Sequence, residues 1–237
     1  MGDEPKKFDF VKGEVLLFDK ELDWTSFDLV RKVRNNLCRA LGIKKLKVGH
    51  AGTLDPKATG LMILCTGKAT KQIEMHQAGE KEYLATLKLG ATTPSFDLET
   101  DEDAQFKTSH ISEKLVITVL QQFIGEIEQV PPIFSAVKID GQRAYVRARK
   151  GEDVKMKTRL ITIREIELIE FSERKIVIRV VCSKGTYIRS LARDIGEALE
   201  SGAYLVGLRR TRIGEFNMED AFSVNDFLKN IDKFVTN

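Results

Sequence analysis

Apolar and polar residues alternate along some stretches of the chain and take helical spacing along others. "GEVLLFDKE" (13–21) reads as a first strand. "TSFD" then has the form of a capping box, with Thr25 at the N-cap and Asp28 three residues on. Phe27, Val30, Val33, Leu37 and Leu41 recur at helical spacing until Gly42, which predicts a helix. "LMILC" (61–65) reads as a short buried strand, followed by a helical segment near 69–77. "KEYLATLKLG" places Tyr83, Ala85, Leu87 and Leu89 on one face of a strand, and a helix is expected over 113–124. Between 160 and 183 two alternating strands flank a turn at 172–174, the pattern of a β-hairpin. "GTYIRSLARDIGEALES" is an amphipathic helix, "AYLVGLRRTRIGEF" another strand, and "SVND" a cap for the last helix. Strands and helices do not alternate strictly. The pattern predicts an α+β fold around a mixed, mainly antiparallel sheet flanked by helices and loops, not a doubly wound parallel one.

Two stretches break this rhythm. "VGHAGTLDPKATG" (48–60) crowds glycines, a proline, His50 and Asp55 into a loop. In "QVPPIFSAVKIDGQRAYVRARKG" (129–151), Pro131 and Pro132 interrupt any regular element, and Asp140-Gly141 signals a turn ahead of a basic segment.

Composition narrows the classes. A chain of 237 residues with 42% hydrophobic content can bury a substantial core, and without repeats, linkers or low-complexity tracts it is expected to form one domain over 1–237. Cys38, Cys65 and Cys182 are scattered, as are the three histidines, so neither disulfides nor a metal site is expected. The N-terminal segment lacks an apolar signal core and no apolar run approaches a membrane span, which points to a cytoplasmic protein with no membrane partner. Net charge is only +3, but Arg143, Arg147, Arg149, Lys150, Lys155, Lys157 and Arg159 face only Glu152 and Asp153 between 142 and 159. "KKLK" (44–47) and "RRTR" (209–212) are also basic, whereas acid gathers in "DLETDED" (97–103), read as a solvated turn. Such segregation suits a polyanion on one face; plain solvated surface is the blander alternative.

No Walker A loop, H-E-x-x-H, G-x-S-x-G or G-x-G-x-x-G occurs. Taken alone, Asp55 before Pro56 is most simply a turn or helix start, and His50 a structural histidine. Tyr83 on its strand fits either the core or a stacking platform, and Tyr187 and Arg189 open a helix directly after a strand and a glycine.

"GHAGTLDPKATGLMIL", "KEYLATLKLG", "PPIFSAVKIDGQRAY", "CSKGTYIRSLARDIGEAL" and "LRRTRIGEF" occur in this order, and together they resemble the TruB family of tRNA pseudouridine synthases from about Gly13 to Phe222. The resemblance implies the pseudouridine synthase catalytic fold and isomerisation of uridine 55 in the T-loop of transfer RNA, without metal or cofactor. It implies Asp55 as the catalytic carboxylate, attacking C1′ of the sugar or C6 of the base, or assisting a glycal route. Tyr83 would stack on the flipped base and Arg189 would pair with Asp55. Tyr187 and Leu208 would line the pocket, His50 would contact the extruded nucleotide, and Lys20 would support the loop. A segment near 128–153 would grip the T-stem-loop, with Lys138 and Arg143 on phosphates, although "YVRAR" departs from the family's acidic residue after the tyrosine. The expected form is a monomer needing no protein partner and lacking the C-terminal PUA domain of many relatives. An RNA-binding or RNA-folding module on the same scaffold, alone or alongside catalysis, is the alternative, as is the same reaction on other stem-loops.

Overall fold

The computed structural model describes residues 7–135, 137–139, 141–148 and 156–235. The readings at Asp140, Arg149, Lys150, Glu152, Asp153 and Lys155 lie outside them, as do the side chains of Lys138 and Arg143.

In chain order the elements are β1 (Val15–Lys20), α1 (Ser26–Ala40), β2 (Val48–Ala51) and β3 (Ala58–Thr66), then a 3₁₀ turn (Gly67–Gln72) leading into α2 (Ile73–Ala78). β4 (Lys81–Leu89), β5 (Ala91–Thr92), β6 (Ala104–Gln105), α3 (Glu113–Gln121) and β7 (Gly125–Gln129) follow. Next come β8 (Lys138–Ile139), β9 (Gln142–Arg143), α4 (Ala144–Ala148), β10 (Arg159–Ser172), β11 (Lys175–Cys182), α5 (Ile188–Ala198) and β12 (Ala203–Ile213). The chain closes with β13 (Phe216–Asn217), β14 (Phe222–Ser223), α6 (Val224–Lys229) and α7 (Ile231–Phe234). The chain divides into two compact units, one of residues 1–81 with 209–237 and one of residues 82–208.

In the first unit β1 lies antiparallel to β3, with Leu17 opposite Ile63, and parallel to β14. β2 pairs antiparallel with the other side of β3, so the start of the glycine-rich stretch is a strand and only 52–57 form the loop. α1 starts as its sequence predicts: Thr25 accepts from the Asp28 amide at 3.0 Å, and Asp28 accepts from the Thr25 amide at 3.1 Å. That cap sets the helical phase, and Ser26, Leu29, Val30, Val33 and Leu37 turn inward. Phe27 does not belong to the buried stripe. It lies about 100° round the helix from Ser26 and is 59% exposed.

Beneath β1 the core is aromatic. Phe227 is fully buried, and its ring lies 5.0 Å from Phe18, 5.3 Å from Phe222 and Phe234, and 6.3 Å from Phe10. Phe8 bridges to Val235, so both ends of the described chain close this cluster.

In the second unit the strand order is β12, β4, β11, β10, β7. β4 buries Tyr83, Ala85, Leu87 and Leu89, as its alternation requires. β10 and β11 form the expected hairpin, with Ser172 opposite Lys175, and β7 adds to the far edge of β10. α3 begins on the Ser112 cap and ends at Gln121, three residues earlier than its pattern suggested. Lys138 stands opposite Arg143 in the small β8–β9 hairpin. Antiparallel pairs dominate and β1–β14 is parallel, so the sheet is mixed, as expected. Among the described residues no helix is long and apolar enough to cross a membrane.

Removing a fully buried ring leaves a cavity that such a cluster closes poorly. Phe227→Ala should lower the unfolding free energy by about 3–5 kcal/mol. Urea unfolding with both proteins at one pH checks this; a loss under about 1 kcal/mol would show that the cluster collapses around the gap.

Candidate active site

Asp55 sits half-buried in the 52–57 loop of the first unit, and the backbone on both sides of it is fixed. Ser26, itself buried, both accepts from the Leu54 amide at 2.8 Å and donates to the Leu54 carbonyl at 3.0 Å. Arg210, 1% exposed, donates to the carbonyls of Gly52 (3.2 Å), Thr53 (3.4 Å) and Leu61 (2.8 Å), tying the two ends of the loop together. The Asp23 amide donates to the Pro56 carbonyl at 2.9 Å, and the Ala58 amide closes a turn on the Asp55 carbonyl at 3.0 Å. Gly52 and Gly60 take φ of +98° and +106°, which lets the chain turn at both ends. At Gly60 any Cβ would also collide with the backbone of Arg210. A carboxylate is thereby presented on a backbone with little freedom, as directed chemistry requires.

The surroundings of the loop are cationic. Lys20, the last residue of β1, is fully buried, and its Nζ donates to the carbonyls of Glu21 (2.8 Å) and Trp24 (2.7 Å). Burial brings its pKa down to about 8; Asp55 is the strongest opposing influence, followed by Asp23, while Arg210 adds to the depression. His50 on β2 has its pKa lowered by burial, against the Gly52 backbone and with help from Arg210, so its ring is neutral at pH 7. Lys20, His50 and Asp55 are therefore gathered around one loop.

Arg189, Tyr187, Tyr83 and Leu208 belong to the second unit. Gln129, fully buried, accepts from the Tyr187 amide at 2.8 Å and donates to the Tyr187 carbonyl at 3.1 Å, which fixes the start of α5. The guanidinium of Arg159 lies 5.2 Å from the Tyr187 ring centre. Arg189, 4% exposed, donates to the carbonyls of Phe134 (3.0 Å) and Ser95 (3.3 Å), and its Nε lies 3.5 Å from a carboxylate oxygen of Asp97. Tyr83 is 8% exposed on β4, and Leu208 is half-buried on β12. Lys138 and Arg143 are brought opposite each other in their hairpin.

Sequence reasoning overlooked three of these positions. Asp97 is not part of a solvated turn: it is 3% exposed, accepts from the Glu99 amide at 2.9 Å, and its carbonyl receives Thr93 at 2.8 Å. The small polar residues in "TPSFDLET" were the available signal, since they wrap one acid and leave the later ones to solvent. Arg210 had no distinguishing signal among the arginines of "RRTR". Gln129 was passed over as the edge of a proline-broken segment. No group of His, Cys, Asp and Glu suited to hold a metal ion occurs among the described residues.

Residues 39–188 match the N-terminal domain of TruB family pseudouridylate synthase, and residues 189–234 match the tRNA pseudouridylate synthase B C-terminal domain. The chain is 63% identical over 224 residues to tRNA pseudouridine synthase B of Phocaeicola vulgatus, covering 94% of this chain and 95% of that one. It is 51% identical over 220 residues to the protein of the same name from Flavobacterium johnsoniae, covering 92% and 96%. Among solved structures it is similar to a chain of a Cbf5-Nop10-Gar1 complex, with TM-score 0.71 and 31% identity, and to one of an H/ACA RNP bound to a substrate RNA containing 2′-deoxyuridine, with TM-score 0.68 and 28% identity. It covers 94% of its own length in both matches but only 55% and 54% of those longer chains.

The buried ammonium makes a signed prediction. Lys20 has a folded pKa of about 8 against an ordinary 10.5, so between those values the unfolded chain binds more protons and stability rises with pH. The penalty of burying the charge is present in full below about pH 8 and relieved above 10.5. Lys20→Met lacks this titration, so the difference in urea midpoint should move in the wild type's favour from pH 8 to 10.5. A constant difference would show that Lys20 titrates normally.

Proposed function

The chain belongs to the TruB family of pseudouridylate synthases, and on that premise we propose that it isomerises uridine 55 in the T-loop of transfer RNA to pseudouridine. It is an isomerase of the pseudouridine synthase class. The N1–C1′ bond breaks, the uracil rotates, C5 joins C1′, and N1 ends with a proton as C5 loses one. Nothing is oxidised or hydrolysed in sum. The target atoms are covered while the base is stacked, so the nucleotide must be flipped out before a side chain reaches them.

The observation that carries this reading is the loop of Asp55. Ser26, Asp23 and Arg210 fix its backbone, and the Asp55 carboxylate is the strongest influence that favours the charged form of buried Lys20. An ionised carboxylate in such a setting can attack C1′ or C6, or stabilise the positive charge that grows on C1′ as its bond to N1 lengthens. In this reading Tyr83 stacks on the flipped base and Arg189 pairs with Asp55. Tyr187 and Leu208 form apolar walls, and neutral His50 contacts the extruded nucleotide. Lys138 and Arg143 hold phosphates of the T-stem-loop.

Asp55→Asn preserves size but removes the nucleophilic charge. It should abolish pseudouridine formation in an unmodified transfer RNA transcript while leaving RNA affinity within about threefold, a difference of well under 1 kcal/mol. Mapping pseudouridine along the transcript also checks the position: modification elsewhere than nucleotide 55 would refute the assignment. RNA binding by the unaltered protein with no pseudouridine would return the RNA-folding alternative.

Arg189→Lys keeps the charge but loses the planar fork that reaches Ser95 and Phe134 together. A charge-assisted hydrogen bond is worth about 1.5–3 kcal/mol, so the single-turnover rate should fall roughly 10- to 150-fold with the fold retained. An unchanged rate would reduce Arg189 to a support for the 93–100 loop.

A further inference from the structure

A cleft of about 490 Å³ opens along the outer side of α1, lined by Asp23, Trp24, Arg31, Lys32, Asn35 and Arg39, among others. We propose that this cleft is a second RNA-binding surface, taking the phosphate backbone of the bound RNA along α1 with Trp24 as a stacking wall at its head. The inference rests on the RNA reading above and extends it to a face that reading does not use.

Charge accounting within the cleft supports an anion. Its acids are already paired: Asp28 with Arg31 at 2.9 Å and with Thr25, and Asp23 with Lys57 at 2.7 Å. Lys32 and Arg39 are exposed and have no carboxylate partner among the described residues. Arg31, Asn35 and Arg39 fall at i, i+4 and i+8 on one row of the helix, with donors recurring about every 6 Å over about 12 Å. A row of donors at this interval suits successive phosphates of a strand, and Asn35 adds a neutral donor between the two arginines.

The cleft is also joined to the Asp55 loop through the backbone. Asp23 at its head holds the Pro56 carbonyl, and the neighbouring Trp24 carbonyl accepts from buried Lys20. RNA leaving the reacting nucleotide on this side would meet the half-buried indole of Trp24 first, where a base or ribose can stack. A protein partner of ordinary hydrophobic chemistry fits less well, because Phe27 is the one exposed apolar residue on this row of α1 and Arg31, Asn35 and Arg39 follow it.

Trp24 is the only tryptophan in the chain, so its fluorescence reports on this cleft directly. The intact protein is titrated with an unmodified transfer RNA transcript at several salt concentrations, following tryptophan emission, total binding and pseudouridine formation. The wild type should show saturable quenching. In the double variant Lys32→Gln, Arg39→Gln the quenching should weaken, and the salt slope of log affinity should flatten by about 1.4–1.8, the loss of two phosphate contacts. KM should rise while kcat holds, and urea midpoints near the wild type's would show that the fold is intact. Binding and modification by the wild type without change in emission, or an unchanged salt slope in the double variant, would overturn the cleft assignment alone. A wild type that neither binds nor modifies the transcript would overturn the RNA reading and this inference together.

Discussion

A loop that belongs to no strand or helix must find partners for its backbone elsewhere in the chain if it is to be held still. The 52–57 loop meets this constraint by borrowing partners from other parts of the chain. The guanidinium of Arg210 satisfies three carbonyls, and the hydroxyl of Ser26 satisfies both polar groups of one peptide residue. Buried backbone groups left unpaired would cost free energy comparable to lost hydrogen bonds, so these contacts stabilise the fold as well as fix the backbone on either side of Asp55. Gly52 and Gly60 follow from the same constraint, because each bend brings backbone close to Arg210.

Electrostatics then divides the labour. Two buried cations, Lys20 and Arg210, stand on the side of the Asp55 loop, and His50 beside them stays neutral because burial and Arg210 both oppose a further charge. Arg189 in the second unit is held by carbonyls of two separated segments and by Asp97, so its direction is set by packing and not by a flexible stem. Each unit thus carries a buried cation whose position is set by backbone carbonyls.

Much of the fold was legible because local rules and tertiary packing agreed. The Thr25 cap, the alternation of β4 and the β10–β11 hairpin all formed where their patterns placed them. Phe27 shows the limit: its apolar character fits a helix stripe, but the phase fixed by the cap turns it to solvent. Asp55, His50 and Lys20 were legible through motif resemblance, and the structure gathers them around one loop. Asp97 and Arg210 were not, for a physical reason. Each sits in a run of like charges whose average property is solvation, and only a long-range partner, Arg189 or the Gly52–Thr53 carbonyls, draws one member inside. Such partners lie tens of residues away and leave no periodic trace.

The first unit is discontinuous in the chain, and this bears on how the protein is made. β1 and the rings of Phe10 and Phe18 leave the ribosome early, but β14 and Phe227, against which they pack, are encoded after residue 208. At about 5–20 residues per second, the roughly 200 residues between Phe18 and β14 take on the order of 10–40 s to synthesise. Residues 82–208 emerge as one continuous stretch and can collapse on their own contacts during that time, whereas the N-terminal aromatics wait uncovered. The nascent chain therefore has a window in which chaperones and aggregation compete for those rings, and Arg210 becomes available to tie down the Asp55 loop only late in that window.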